Sequence, residues 1–570
     1  MAQKTTVAVN TSLRDSAAMR WLALGLLAFA MFCSYIFMDI LSPIKDLLQS
    51  KAGWDSDAFG TMQGSETFLN VFIFFLIFAG IILDKMGVRF TAVLSGAVML
   101  VGATINWYAL TEMFAQSTLH TWFTEHLNYI PGFQELGVSP FYKEMPASAK
   151  LSAIGFMIFG CGVEMAGITV SRGIVKWFKG REMAMAMGTE MALARLGVGT
   201  CMIFSPFFAQ QIGPVSVSRP VAFAVVLLMI ALMMFIVYFF MDRKLDKQIN
   251  EAEEKDDPFR LSDLGKIFRS RGFWIVSLLC VLYYSAIFPF QKYAVNMLQC
   301  NLSLTKPAEG SFWASEAVTI WQYVIMLGVA IAAFAANFSK NTILKICLFA
   351  AAVTLLVVYC IFGYLRQEAS AIFAVFPLLA VGITPILGKF VDHKGKAATM
   401  LIFGSLLLIV CHLVFAFVLP ACKGNDLLGV IVAYATILVL GASFSLVPAS
   451  LWPSVPKLVD AKIIGSAYAL IFWIQNIGLW LFPILIGKVL TATNPAIAEA
   501  VEKKTMTQEV ASVSYNYQWP LVMLATLGVI ALLLGLYLKV IDRKEKIGLE
   551  EPNIKPSAET LEAEVATAEE

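Results

Sequence analysis

A carboxylate and a guanidinium at similar depth on neighbouring apolar segments can hold the two ends of a zwitterion, and Glu164 and Arg195 are such a pair. Each lies near the middle of its segment. A charge at the centre of a spanning helix costs about 2.5–3.5 kcal/mol on insertion scales, so each invites a partner or a function. Two readings stay open. The pair can neutralise itself, since a buried guanidinium strongly prefers a carboxylate. Or the two face a water-filled cavity, the acid meeting an ammonium and the guanidinium a carboxylate in bidentate geometry. Glu190 lies a little over one turn from Arg195, and Asp39 and Glu66 fall in the outer parts of the first two segments. Acids outnumber bases in these segments, which leaves a substrate ammonium or a bound proton to balance the excess. Asp39, Glu66 and Glu190 are therefore candidate proton sites, with a hydrogen-bonded structural role as the alternative. Nearly all of this charge falls in the first half. The second half offers Tyr283, Tyr284, Trp473, Gln475 and Asn476 as polar and aromatic candidates for substrate contact.

A second pattern recurs. GIILDKMGVR (Gly80, Asp84, Gly87, Arg89) returns as GKFVDHKGK (Gly388, Asp392, Gly395), each copy in a short basic loop between apolar runs. The glycines let helix ends approach closely, the aspartate can accept from a neighbouring helix N-terminus, and the bases stay in cytoplasmic water. Such a loop could latch one conformation of a two-state carrier. Duplication of a loop in matching positions is how an internally repeated membrane protein looks, and the pattern resembles the loop signature of the major facilitator superfamily.

Composition sets the environment of both patterns. With 570 residues, 59% of them hydrophobic and 14% charged, and a mean hydropathy of +0.74, the chain has too little polar surface for a soluble globule. The lipid bilayer is its expected surroundings. The formal charge of +2 is no sign of nucleic acid, because the bases flank apolar spans. The nine cysteines are scattered without CxxC or Cys/His spacing, so no metal site is expected. Cys300 and Cys422, near outer loops, read as free thiols, with pairing as the alternative.

Spans are expected near 20–41, 59–83, 90–113, 150–175, 184–210 and 220–241, then 273–297, 316–336, 343–364, 370–388, 397–419, 427–450, 463–490 and 518–540, about fourteen in all. The organisation reads as a six-helix bundle over 1–241, a charged cytoplasmic connector over 242–271, a second bundle over 272–542, and an acidic disordered tail over 543–570. An extra hairpin near 315–365 preserves inside/outside parity for the later spans. No removable signal peptide is read at the start, and both termini are expected in the cytoplasm.

Between Phe159 and Gly199 the chain carries GCGVE ending at Glu164, WFKGRE at Trp177–Glu182 and ALARLG around Arg195. With CVLYYSAIFPF at Cys280–Phe290, LWPSV at Leu451–Val455 and GSAYALIFWIQNIGL at Gly465–Leu479, these runs resemble the lysosomal dipeptide transporter family of the major facilitator superfamily. The resemblance implies an all-α polytopic fold of two pseudo-symmetric bundles and transport of short peptides by alternating access, as a uniporter or with a proton. It assigns Glu164 and Arg195 to the peptide's amino and carboxyl ends, and it matches Asp39 in the first helix. The chain departs from the family where Asn-Pro would follow that aspartate, reading Ile-Leu-Ser-Pro. It departs also in its extra helical pair and in lacking an acidic dileucine signal near the start. A bacterial-type cytoplasmic membrane is thus the expected location, and an accessory subunit is left open.

No cofactor is implied. An enzyme would need a nucleophile and base at suggestive spacing, HExxH or a phosphate loop, none of which the sequence carries. The rival within the fold is a carrier of organic anions or drugs, with Arg195 binding a carboxylate and Glu164 its resting counter-ion.

Overall fold

Apolar residues on every side of a helix suit only a bilayer or a deep core, and a bilayer forces each backbone amide to bond within its own helix. The chain obeys. The structure, a computed structural model, describes residues 12–128, 139–178, 182–211, 213–248, 267, 269–459 and 464–552. Parts of the WFKGRE loop, most of the connector and the tail from 553 lie outside the described residues. Among those described there is no strand, and thirteen helices are long and apolar enough to cross a membrane.

The principal helices of the first half are α1 (Ala17–Asp39), α2 (Ser56–Gly64), α3 (Phe75–Ala109), α4 (Ala147–Phe178), α5 (Met183–Gln210) and α6 (Ser218–Asp246). The second half has α7 (Arg271–Asn301), α8 (Glu316–Phe338), α9 (Thr342–Arg366), α10 (Val375–Lys394), α11 (Ala397–Leu413), α12 (Asp426–Leu458), α13 (Ile464–Thr493) and α14 (Gln518–Glu545). Packing repeats between halves: α1 lies against α5 and α6 as α7 lies against α13 and α14, and α3 against α6 as α11 against α14.

The expected fourteen spans and the observed thirteen long helices differ at the second span. It begins as α2, capped by Asp55 accepting from Ala58 N at 2.7 Å, then tightens to a 3-10 turn over Ser65–Thr67. After a short helix over Phe68–Phe72 it passes through Phe74 at φ 55° and runs on into α3. There Gly87, at φ 80° and ψ 165°, breaks the 35-residue rod where the sequence ends one span and begins another. The glycine supplies a backbone conformation that other residues rarely adopt.

The break around Glu66 has a visible counterpart on α4. A Cβ built on Gly160 would stand 1.8 Å from the Glu66 carbonyl oxygen, so only glycine lets α4 approach the turn. Gly160→Ala must push two backbones apart. Overpacking of this kind is expected to lower stability by about 1–3 kcal/mol, and thermal melting of the purified variant in detergent checks it.

The hairpin α8–α9 follows α7 and leans on α10, where Asn337 Nδ2 donates to Gly382 O at 3.1 Å. α8 also reaches the first half: Tyr323 bonds Thr200 at 3.2 Å and stacks edge-on to Phe204. Residues 543–552, read from sequence as the start of a disordered tail, are ordered. α14 continues to Glu545, and the strap beyond it lays Glu550 O on Lys396 N at 3.1 Å and its carboxylate on Thr399 N at 2.8 Å. Acidic composition suggested solvent, whereas the exposed N-terminus of α11 offers donors that an acid satisfies. All nine cysteines are free thiols, Cys300 and Cys422 included.

Candidate functional site

The hydrogen bonds and ion pairs joining the halves gather where α1 ends and α7 and α13 approach α2. Small residues permit the contact: a Cβ on Gly60 would lie 2.3 Å from Pro483 O. Tyr293 OH donates to Ser56 O at 3.2 Å and to Pro483 O at 3.0 Å. Lys45, fully buried, donates to Asn296 Oδ1 at 3.1 Å and sits over the rings of Phe59, Tyr293 and Tyr515.

Beneath this layer lies an ionic cluster. Lys292 Nζ of α7 stands 2.9 Å from Asp39 Oδ1 and 4.0 Å from Glu66 Oε2, and donates to Met38 O at 2.7 Å. Gln291 Nε2 donates to Asp39 Oδ2 at 2.7 Å. Asp39 is 1% exposed. Asp39 and Glu66, considered from sequence as a substrate contact and a proton site, are thereby brought together by a lysine of the other half.

Glu164 and Arg195 are not paired: among the described ion pairs none joins them. Glu164 Oε1 accepts from Asn476 Nδ2 of α13 at 3.3 Å. Arg195 lies instead over three aromatic rings, Tyr35 at 5.7 Å, Phe288 at 5.0 Å and Phe444 at 4.8 Å from its guanidinium carbon. These rings come from α1, α7 and α12, so the guanidinium spans both halves. Cation–π contacts leave the in-plane N–H donors unused. Both side chains are half-buried, as is Glu190 one turn before Arg195.

The second-half candidates divide. Tyr284 accepts from Trp452 Nε1 at 3.1 Å and stacks on Phe288, which places it beside the Arg195 rings. Trp473 Nε1 donates to Val71 O at 3.0 Å across the seam, and Thr67 donates to Asn476 O. Gln475 accepts from the Cys280 thiol at 3.4 Å. Tyr283 belongs elsewhere: its hydroxyl bonds Leu401 O and, at 2.5 Å, Ser405 Oγ of α11, inside the second bundle and fully buried.

The first repeated segment lies at the Gly87 break inside α3 and the second at the end of α10. Asp84 meets Arg172 of α4 at 3.3 Å in place of the expected helix N-terminus, and Arg89 meets Asp246 at 2.5 Å. Lys176 joins Asp246 and, at 2.7 Å, the buried Asp242, which also accepts from Trp177 Nε1. Gly80 and Gly388 have open space around them. Gly395, at φ 71°, lies under the strap and follows Asp392 at the end of α10.

Sequence reasoning missed Lys292, Lys45, Gln291 and the rings of Tyr35, Phe288 and Phe444. For Lys292 a signal existed: a base inside the expected span 273–297, within FPFQKYAVN, which contradicts the reading of a second half short of charge. The rings carried none, because phenylalanine is abundant throughout.

Residues 27–367 match the Major Facilitator Superfamily. The lysosomal dipeptide transporter MFSD1 of Danio rerio is 23% identical over 482 residues, covering 83% of this chain and 80% of that protein. Its namesake from Homo sapiens is 22% identical over 348 residues, and that alignment covers 60% of this chain and 59% of the human protein. Among solved structures, a bacterial homolog of the human lysosomal transporter Spinster, in an inward-facing and unoccupied conformation, aligns with a TM-score of 0.58. The likeness covers 93% of this chain and 98% of that one at 11% identity, and concerns the fold alone.

Proposed function

Because the chain belongs to the Major Facilitator Superfamily, a class of multi-pass membrane transporters without covalent chemistry, we propose that it carries dipeptides by alternating access between its halves. The observation that carries this reading is the separation of Glu164 from Arg195. An acid held by one amide and a guanidinium held by aromatic faces each keep hydrogen-bonding capacity for a ligand. A dipeptide's ammonium suits the first and its carboxylate the second, with the side chains left unread. Asn476 stands at the acid and Tyr284 beside a ring that faces the guanidinium. The identity of the MFSD1 relatives agrees with this choice of cargo. The organic-anion rival loses ground because it needs Glu164 as the resting counter-ion of Arg195.

By the positive-inside rule the basic loops at Asp84 and Asp392 face the cytoplasm, together with both chain ends, in a bacterial-type cell membrane. The seam at Asp39 then closes the outer side, and the loop contacts of Arg172 and Asp246 belong to the state so closed. Dipeptides should raise the melting temperature of the purified protein, since a ligand that binds only the folded form stabilises it. Stabilisation by many dipeptides, lost on N-acetylation and in Glu164→Gln, is the expected result. Stabilisation by organic acids alone would overturn the peptide assignment while leaving the fold untouched.

A further inference from the structure

The outer end of the second bundle carries a cleft of about 310 Å³, where α7 and the α11 rod end and α14 begins. Its two sides differ in chemistry. Phe417 and Pro420 form the apolar side, in and just beyond the π turn over Val414–Val418 that continues α11. Phe417 is 50% exposed and prolongs the exposed stripe of Leu406, Val410 and Leu413, the face that α11 offers to lipid. Lys423, Asn516 and Gln518 form the polar side. Lys423 is exposed and makes no ion pair among the described residues. No carboxylate lines the cleft, and Asp426, three positions after Lys423, belongs to the first turn of α12. Trp519, 60% exposed at the start of α14, marks the depth as that of the headgroups, where tryptophan collects. The cleft also adjoins the seam. Between a short helix ending at Ser512 and the start of α14 the chain carries no helix, and its burial alternates along Ser514–Gln518, as expected where successive side chains take opposite sides. Tyr515 and Tyr517 are buried. Tyr515 accepts from Gln49 Nε2 of the first half at 2.9 Å with the Lys45 ammonium 4.9 Å from its ring, and Tyr517 donates to Asn296 Oδ1 at 2.5 Å. Asn516 and Gln518 line the cleft, and Tyr515 reaches it too.

We propose that this cleft binds the phosphate headgroup of an anionic phospholipid from the outer leaflet, and that the bound lipid favours the closed outer end. A phosphodiester oxygen only accepts hydrogen bonds, and the polar side offers it an ammonium and two amides as donors. The glycerol and acyl chains continue over Phe417 and Pro420 into the bilayer. A zwitterionic headgroup is served less well, because its own ammonium meets no carboxylate in the cleft. A ligand shifts a two-state equilibrium only by its preference for one state. Here the preference comes from the segment Ser514–Gln518, which Gln49 and Lys45 of the first half hold in place only while the two halves meet. The site owes nothing to the cargo and stands whether or not the cargo is a peptide. It uses only the orientation given by the basic loops.

The test uses two readouts on the full-length protein. In detergent, after removal of co-purified lipid, dioctanoyl phosphatidylglycerol should raise the melting temperature by a few degrees and saturate. Dioctanoyl phosphatidylcholine should give little of that rise, and Lys423→Gln, a change at an exposed residue, should remove most of it. An equal rise with both lipids, or a rise that Lys423→Gln leaves intact, overturns the headgroup site. An equal rise with inorganic phosphate alone assigns the cleft to a soluble anion and overturns the lipid. For the seam, Ser56→Cys puts a thiol in place of a fully buried hydroxyl, and its labelling by a membrane-impermeant maleimide, against the parent protein, reports opening. Labelling should fall several-fold from phosphatidylcholine vesicles to phosphatidylglycerol vesicles, and the fall should vanish in Lys423→Gln. Labelling that ignores the lipid while melting follows it overturns the influence on closure and upholds the site.

Discussion

Lys292→Met is expected to weaken the closed end by about 3–5 kcal/mol, the usual consequence of removing one partner from a buried ion pair. The ammonium lies 2.9 Å from Asp39, which is 1% exposed, and loss of that contact leaves a carboxylate with the Gln291 amide and a long 3.5 Å bond from the Ser42 hydroxyl for support. Methionine fills a similar volume, so the effect is one of charge and not of packing. The variant should accumulate poorly or melt early. Adding Asp39→Asn and Glu66→Gln to it should restore most of the melting temperature, because a cluster with no charge at all is nearly as stable as a balanced one. Melting of the single and the triple variant decides the matter, and an equal loss in both would mean that Lys292 serves by its length alone.

Arg195→Ala should lower dipeptide uptake on the order of 100-fold, since two charge-assisted hydrogen bonds to a carboxylate are together worth about 3 kcal/mol or more. The fold should survive it. Arg195 makes no ion pair with a carboxylate of the protein among the described residues and lies over the faces of Tyr35, Phe288 and Phe444, and Glu190, the acid its charge reaches, is only half-buried. Arg195→Lys keeps the charge and loses the fork, and is expected to recover only part of the uptake. Radiolabelled dipeptide flux into proteoliposomes, normalised to folded protein, measures both. Unchanged flux in Arg195→Ala would remove the clamp.

Legibility in the sequence tracks length scale. Apolar runs long enough to cross a bilayer are unmistakable, and so are the helices, the hairpin α8–α9 and the duplicated loop. The second span is harder: its interruption at Ser65 falls where α4 and α13 pack closely on it, against Glu66 and Gly64, and that at Phe74 follows a few residues on. Glu164 and Arg195 stand out as rare charges at depth. Their separation is invisible, since sequence gives depth along a helix but not the direction in which a side chain leaves it. Lys292 is as legible as either, and only the weight of charge in the first half hides it. Tyr283 shows the opposite error, a polar residue next to Tyr284 in the chain and on another face of the same helix, turned to α11.

The seam itself suggests how such carriers drift apart without losing closure. Where Gly60 meets Pro483 and Gly64 meets Trp480, backbone comes first against backbone, with the Tyr293 hydroxyl and the Ile484 side chain beside it. A surface made of main chain has almost no vocabulary: it can lose a glycine but hardly spell a new partner. Lineages that diverge in cargo are free to rewrite the rings around Arg195 and the charges around Lys292, while the crossing point stays small and mute. In chains too distant to align by their charged residues, small residues on the spans equivalent to α2 and α13 would be the surviving landmark.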